Sequence, residues 1–174
     1  SKVAFPPINV TMPLGLVLEG RGIKQLRVAE TEKERFVTYY FNGQREQPFY
    51  GESRLIIPSA KVPTYDLKPE MSAFEITDAV LKRLTTMVDG FVLINFANAD
   101  MVGHTGVFDK AIAACEVVDE CLGRIVTKVL ELGGACIITA DHGKVEEMGD
   151  PAKNEIITEH TKNLVPVIFI SLQF

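Results

Sequence analysis

Every histidine of this chain sits in a short polar stretch close to a carboxylate: Asp100-Met101-Val102-Gly103-His104, Asp141-His142-Gly143 and Glu159-His160-Thr161. Carboxylate oxygen and imidazole nitrogen together suit Mn²⁺, Zn²⁺ or Fe²⁺ better than Ca²⁺ or Mg²⁺, which favour oxygen alone. Asp100 and His104 are four residues apart, so on one helical turn both side chains point the same way and can grip one ion. Asp141-His142-Gly143 taken alone also reads as a turn, with Asp capping the next helix and Gly relaxing the backbone. His160 taken alone reads as an ordinary loop histidine. The joint pattern points to a metal centre, and the natural chemistry of such a centre is metal-assisted reaction at phosphate.

Residues of this kind need rigid elements to hold them. Phe91-Val92-Leu93-Ile94-Asn95-Phe96 is a near-continuous apolar run, as expected of a strand buried on both faces of a parallel sheet, and its end delivers Asp100 and His104. From Phe108 to Leu132 the apolar positions Ile112, Cys115, Val118, Leu122, Ile125, Val129 and Leu132 keep a three-to-four spacing that predicts a helix, closed by Gly133-Gly134. Ala135 to Thr139 then reads as a second buried strand delivering Asp141 and His142, and Val165 to Ile170 as a third, with His160 on the loop before it. Upstream, Ser72 with Glu75 has the capping-box pattern that opens a helix, and Leu55-Ile56-Ile57 predicts a short strand. Glu30 to Phe41 predicts a helix ended by Asn42-Gly43, where Gly supplies a left-handed cap. The segment through about Arg27, with Pro6-Pro7 and Pro13, reads as a connection holding only a short helix around Leu14 to Leu18. Alternating strand, helix and strand predicts an α/β fold: a mostly parallel sheet with helices on both faces and ligands at the C-terminal strand ends.

Composition narrows the partners. A chain of 174 residues with 47% hydrophobic content is long enough for one domain, or most of one. The net charge of −5, with Lys and Arg dispersed, offers no footprint for nucleic acid or an anionic membrane. No apolar run approaches the roughly 20 residues that span a bilayer, and Ser1 to Pro6 lacks the apolar core of a secretory signal, so a soluble, cytoplasmic protein is expected. Cys115, Cys121 and Cys136 lie in apolar segments without CxxC spacing and read as buried, reduced thiols.

The segments Asn95 to Gly106, Thr139-Ala140-Asp141-His142-Gly143 and His160 to Pro166 resemble the metal motifs of the cofactor-independent phosphoglycerate mutases, members of the alkaline phosphatase superfamily. Lys24 to Lys33, Tyr40-Phe41-Asn42-Gly43, Pro48-Phe49 with Gly51-Glu52, and Pro63 to Ala73 look like that family specifically. Asp-His-Gly alone would name only the superfamily. The resemblance runs from about Met12 to Ile170, and it implies an alkaline-phosphatase-like fold.

It also implies an enzyme that interconverts 3-phosphoglycerate and 2-phosphoglycerate in glycolysis through a phosphoserine, with two Mn²⁺ ions, for which Co²⁺, Zn²⁺ or Mg²⁺ could substitute. By resemblance, Asp100, His104 and His160 hold one ion, Asp141 and His142 the other, and Lys33 lies near the transferred phosphate. The phosphoglycerate substrate and a monomeric full-length enzyme are expected, with no nucleic-acid or membrane partner.

Several family features have no counterpart here, namely the nucleophilic serine, a further aspartate ligand and nearly all of the glycerate-binding domain. Phe36, Ala99 and Lys144 stand where the family commonly has His, Pro and Asn, and Lys144 would add positive charge near the second ion. The chain therefore reads as an incomplete C-terminal piece, inactive alone, with residues 1–29 a linker and remnant of the phosphotransferase domain and 30–174 part of the phosphatase-like domain. A different superfamily phosphomutase or phosphomonoesterase, and a non-catalytic metal-binding module, are the competing readings.

Overall fold

A three-stranded parallel sheet lies at the centre of the fold. The structure is a computed structural model and describes residues 10–150, 155–157 and 159–173; the readings made on Ser1 to Pro7 and on Phe174 lie outside the described residues. A short helix α1 (Leu14–Gly20) leads into β1 (Gln25–Glu30), followed by a 3₁₀ turn at Thr31–Lys33 and a wide helical turn at Phe36–Tyr40. Then come β2 (Glu52–Ile57), α2 (Ala73–Leu84), β3 (Phe91–Ile94), α3 (Asn98–Gly103) and the long α4 (Phe108–Glu131). The chain continues through β4 (Ala135–Thr139), the short β5 (Gly149–Asp150) and β6 (Glu155–Ile156), and β7 (Val167–Ser171). The central order is β2-β1-β3, all parallel, whereas β4 pairs antiparallel with β7 in a separate two-stranded sheet.

β1 corrects the expectation of a connection through Arg27, because all six of its residues are buried at the centre of the sheet. Its polar residues hid it. Leu26 and Val28 face α2 and α4, where they pack with Ile76, Val80 and Ile125. Gln25 and Arg27 serve the opposite face, where the Gln25 amide donates to the Gly15 carbonyl of α1 at 3.0 Å. Arg27 donates from Nη2 to Gln25 Oε1, and its guanidinium lies 4.8 Å from the Phe41 ring and 5.4 Å from the Phe91 ring. Burial pushes the Arg27 pKa down and nearby Arg54 adds to that, while Glu52 opposes it. Helices thus cover both faces of the sheet, as the alternating pattern predicted.

Other elements match more directly. Gly43 closes its helical turn at φ +70°, the left-handed cap expected there. α2 begins after Ser72, but no capping box forms: the Ser72 hydroxyl donates to the Pro58 carbonyl at 2.9 Å and its N–H to Glu30 Oε2 at 3.3 Å. Those two bonds tie the start of α2 to the ends of β1 and β2. Helix α4 forms as expected, yet its fully buried positions are Ala111, Ala114 and Cys121, with Ile125 nearly so. The larger apolar residues Val118 and Leu122 line a cleft of about 1010 Å³ between β3 and β4, and Val129 borders both that cleft and the core. Because that cleft separates the two sheets, β3 and β4 are only partly buried, which corrects the expectation of strands enclosed on both faces. β7 is likewise largely exposed rather than buried. Cys121 is buried as expected, whereas Cys115 and Cys136 are partly exposed, and burial raises the pKa of all three free thiols.

Ile76 is fully enclosed between β1 and α4. Ile76→Ala is expected to lower stability by about 2–5 kcal/mol through lost burial and a residual cavity, read as a lower denaturant midpoint at unchanged slope.

Candidate metal centre

Parallel pairing puts the ends of β1 and β3 on one edge of the sheet. The register Val28↔Ile94 means that the turn after β1 and the helix after β3 emerge side by side. The first carries Lys33 and the second carries Asp100. Helix α3 is held down by Val102, buried with Met71, Ala111 and Ala114, and by Asn98, whose amide donates to the Pro69 carbonyl at 2.8 Å. His104 follows α3 directly, and its N–H donates to the Asp100 carbonyl at 3.0 Å, so the pair shares one helical turn as its spacing predicted.

His160 arrives from the other sheet. β4 and β7 pair with Thr139 opposite Val167, so the loop after β4 and the loop before β7 leave from the same end. The Thr161 N–H donates to the Gly143 carbonyl at 2.9 Å and extends that pairing past the strands. As a result His160 Nε2 lies 3.2 Å from His104 Nε2 and 3.3 Å from Asp100 Oδ1, while His104 Nε2 is 3.0 Å from the same oxygen.

These spacings pass a test for a divalent ion. Ligand bonds of about 2.1 Å around a tetrahedral or octahedral ion separate neighbouring ligand atoms by about 3.0–3.4 Å. Asp100, His104 and His160 can therefore each offer one atom to a common point, and they are the group of this kind found among the described residues. Asp100 Oδ1 supports the same conclusion. It is buried and accepts no hydrogen bond, although two imidazole nitrogens stand beside it, so those nitrogens are not aimed at it as donors. One carboxylate oxygen and two imidazoles suit a borderline divalent ion of the Mn²⁺ to Zn²⁺ group.

The other oxygen of Asp100 is taken by Lys33. Its Nζ lies 2.5 Å from Asp100 Oδ2, and the lysine is buried, not a solvated helix residue. Burial pushes the Asp100 pKa up, but the Lys33 hydrogen bond and charge, with smaller contributions from His104 and His142, hold it below the usual carboxylate value. Phe36 packs its ring 4.3 Å from Lys33 Nζ, a cation–π contact with the same ammonium.

Asp141 and His142 stand beside this cluster without joining it. The His142 and His160 rings stack at 3.6 Å, and His142 Nε2 is 3.6 Å from Asp141 Oδ1. Together with Asp100 and Lys144 they border the cleft between β3 and β4. Lys144 is buried and donates from Nζ to the Ile157 carbonyl at 2.6 Å, which fixes where its charge sits.

One participant has no place in the sequence reading. The Glu146 carboxylate accepts hydrogen bonds from the Thr161 hydroxyl, from the Asn163 amide at 3.2 Å and from the Lys144 N–H at 2.7 Å. The Thr161 bond, with those from the Glu146 N–H, Asn163 and Lys144 behind it, pulls the pKa of the exposed Glu146 carboxylate down to about 2, against an opposing desolvation. An isolated glutamate in a polar loop carries no periodic signal; only its place three residues after Gly143, with Thr161 immediately after His160, could have marked it.

The model of the metalloenzyme superfamily matches residues 6–173. A 2,3-bisphosphoglycerate-independent phosphoglycerate mutase of Thermomicrobium roseum is 56% identical over 97% of the chain, which covers 32% of that protein. One of Clostridium botulinum is 54% identical over 98% of the chain, covering 33% of its length. The chain thus spans about a third of the curated relatives it matches. Among solved structures, a Leishmania mexicana phosphoglycerate mutase at low cobalt concentration superposes with a TM-score of 0.82 at 34% identity, covering 87% of this chain and 30% of that one. A Pyrococcus horikoshii protein, PH0037, shares the fold at a TM-score of 0.57 and 18% identity, covering 94% of this chain and 41% of that one. The α/β, alkaline-phosphatase-like arrangement expected from the sequence is the one found.

The depressed Glu146 pKa fixes a pH signature. Its contribution to stability is complete above its ordinary value of 4.5 and is lost as pH falls through about 2. Melting temperatures of the unaltered chain and Glu146→Gln, compared from pH 6 downward, should differ by a constant amount above about pH 4.5 and converge near pH 2.

Proposed function

The chain belongs to the metalloenzyme superfamily, and we propose that it is the metal-binding portion of a 2,3-bisphosphoglycerate-independent phosphoglycerate mutase, which interconverts 3-phosphoglycerate and 2-phosphoglycerate through a phosphoserine. The observation that carries this reading is the convergence of Asp100, His104 and His160 on one point, with Lys33 on the second oxygen of Asp100. Asp100, His104 and His160 hold one Mn²⁺, and Asp141 and His142 contribute to a second. When bound, the two ions would lower the pKa of a serine hydroxyl and neutralise phosphoryl oxygens during in-line transfer.

The protein groups have separate tasks around that chemistry. Asp100 divides its oxygens, presenting Oδ1 to the cluster and Oδ2 to Lys33. Lys33, oriented by that contact and by the Phe36 ring, presents a fixed ammonium that can stabilise charge developing on a transferred phosphoryl group. Neither Ser72 nor Ser59 is placed as a nucleophile: the Ser72 hydroxyl is bound to the Pro58 carbonyl, and the Ser59 hydroxyl accepts from the Glu32 N–H at 3.2 Å. The serine and the glycerate-binding groups belong to the two-thirds of the relatives' length that these 174 residues do not span, so the chain by itself binds metal without mutase turnover. The complete enzyme is read as a cytoplasmic, glycolytic monomer without nucleic-acid or membrane partners. The net charge is −5, and among the described residues no helix is long and apolar enough to cross a membrane.

A calorimetric titration of the chain with Mn²⁺ tests the ligand set. Saturable binding is expected, with affinity lost in His104→Ala. Unchanged affinity in that variant would sink the assignment of Asp100, His104 and His160 as a metal site.

A further inference from the structure

We propose that Glu146 is a positioning residue whose carboxylate fastens the loop carrying Asp141 and His142 to the loop carrying His160, and thereby sets the spacing of the metal-binding imidazoles. The inference rests on reading Asp100, His104 and His160 as a divalent-metal site.

Asp100 and His104 are fixed by α3 and the central sheet, but His160 belongs to the loop that precedes β7. It meets them correctly only if that loop is held against the one leaving β4. The Lys144 Nζ bond to the Ile157 carbonyl holds the approach to His160, and contacts made by Thr161 and Asn163 hold the stretch that follows it. The Thr161 N–H donates to the Gly143 carbonyl at 2.9 Å, and the Thr161 hydroxyl donates to Glu146 Oε1. Glu146 Oε1 also receives the Asn163 amide at 3.2 Å, while Oε2 receives the Lys144 N–H at 2.7 Å. One carboxylate thus collects donors from both loops, at positions adjacent to or three residues beyond His160 and two residues beyond His142. The charged acceptor makes these bonds stronger than neutral ones.

Gly143 shows how closely the loops approach there. A Cβ at that position would lie 2.2 Å from Glu146 Oε1 and 2.2 Å from Thr161 Oγ1. A side chain at Gly143 would thus have to displace the Glu146 carboxylate and the Thr161 hydroxyl from this junction, and the backbone there is not in the left-handed region, so the glycine serves space and not conformation. The consequence reaches the imidazoles directly, because His160 stacks on His142 at 3.6 Å and places Nε2 3.2 Å from His104 Nε2.

The test is a Co²⁺ titration of the chain, followed by visible absorption, which reports both affinity and the coordination of the ion. Groups that orient metal ligands typically cost about 10–100-fold in affinity when removed. Glu146→Ala and Thr161→Val are each expected to weaken Co²⁺ binding about tenfold and to alter the band shape, with the double variant no weaker than Glu146→Ala because both remove one junction. Glu146→Gln, which keeps one acceptor oxygen, should recover part of the loss. If Glu146→Ala does not fold, Thr161→Val, which removes a single hydroxyl, decides the matter by the same criterion. Affinity and spectrum within twofold of the unaltered chain in these variants, alongside abolished binding in His104→Ala, would overturn the role of Glu146 and leave the metal site standing. No saturable binding by the unaltered chain would overturn both.

Discussion

Parallel strands that pair must present their C-terminal ends on the same edge, and the geometry of the candidate metal centre descends from that constraint. β1 and β3 are neighbours in register, so whatever follows each is delivered to one place. A lysine follows one and an aspartate-bearing helix follows the other. The 2.5 Å contact between Lys33 and Asp100 is the outcome of sheet pairing joining residues 67 positions apart. To make that pairing central, the fold accepts a strand with Arg27 fully buried and two of its nitrogens, Nε and Nη1, without partners. Phe41, Phe91 and Gln25 offset that cost by giving the guanidinium two aromatic faces and one acceptor.

Around Asp100 the electrostatics are arranged asymmetrically. One oxygen is saturated by a buried ammonium, while the other faces two imidazoles that do not donate to it. An unpaired buried carboxylate oxygen is costly in a finished protein, and a cation at the common point would remove that cost. Lys33 and such a cation would be complementary in this respect: the lysine favours the ionised carboxylate, and an ionised carboxylate is what a metal needs.

The sequence exposed the chemistry better than the packing. The three histidine stretches, the helical turn shared by Asp100 and His104, the long helix α4 and strands β2 and β3 could be read from residue type and period, because each is a local property. β1 could not, since Gln25, Arg27 and Glu30 break the apolar run and their burial depends on Phe41, Phe91 and Ser72 from distant segments. Ser72 and Glu75 carried a correct local signal for a helix start, but the hydroxyl found a better-placed acceptor in Pro58. The apolar period of α4 was legible, but Ile112 at its start is exposed, and that Val118, Leu122 and Val129 border an open cleft depends on how β4 is placed relative to β3, which no periodicity encodes. Glu146 was invisible for the same reason, its partners Thr161 and Asn163 being joined to it only by the antiparallel return of β7.

The separation of the two sheets has a thermodynamic consequence. β2-β1-β3 and β4-β7 share no ladder hydrogen bonds and are joined through α4 and the loops at their ends. Such a molecule can open as two units, each with its own local free energy of unfolding. Asp100 and His104 belong to one unit and His160 to the other. An ion held by all three would act as a reversible cross-link between them, so the free metal concentration would set how far the two halves melt as one.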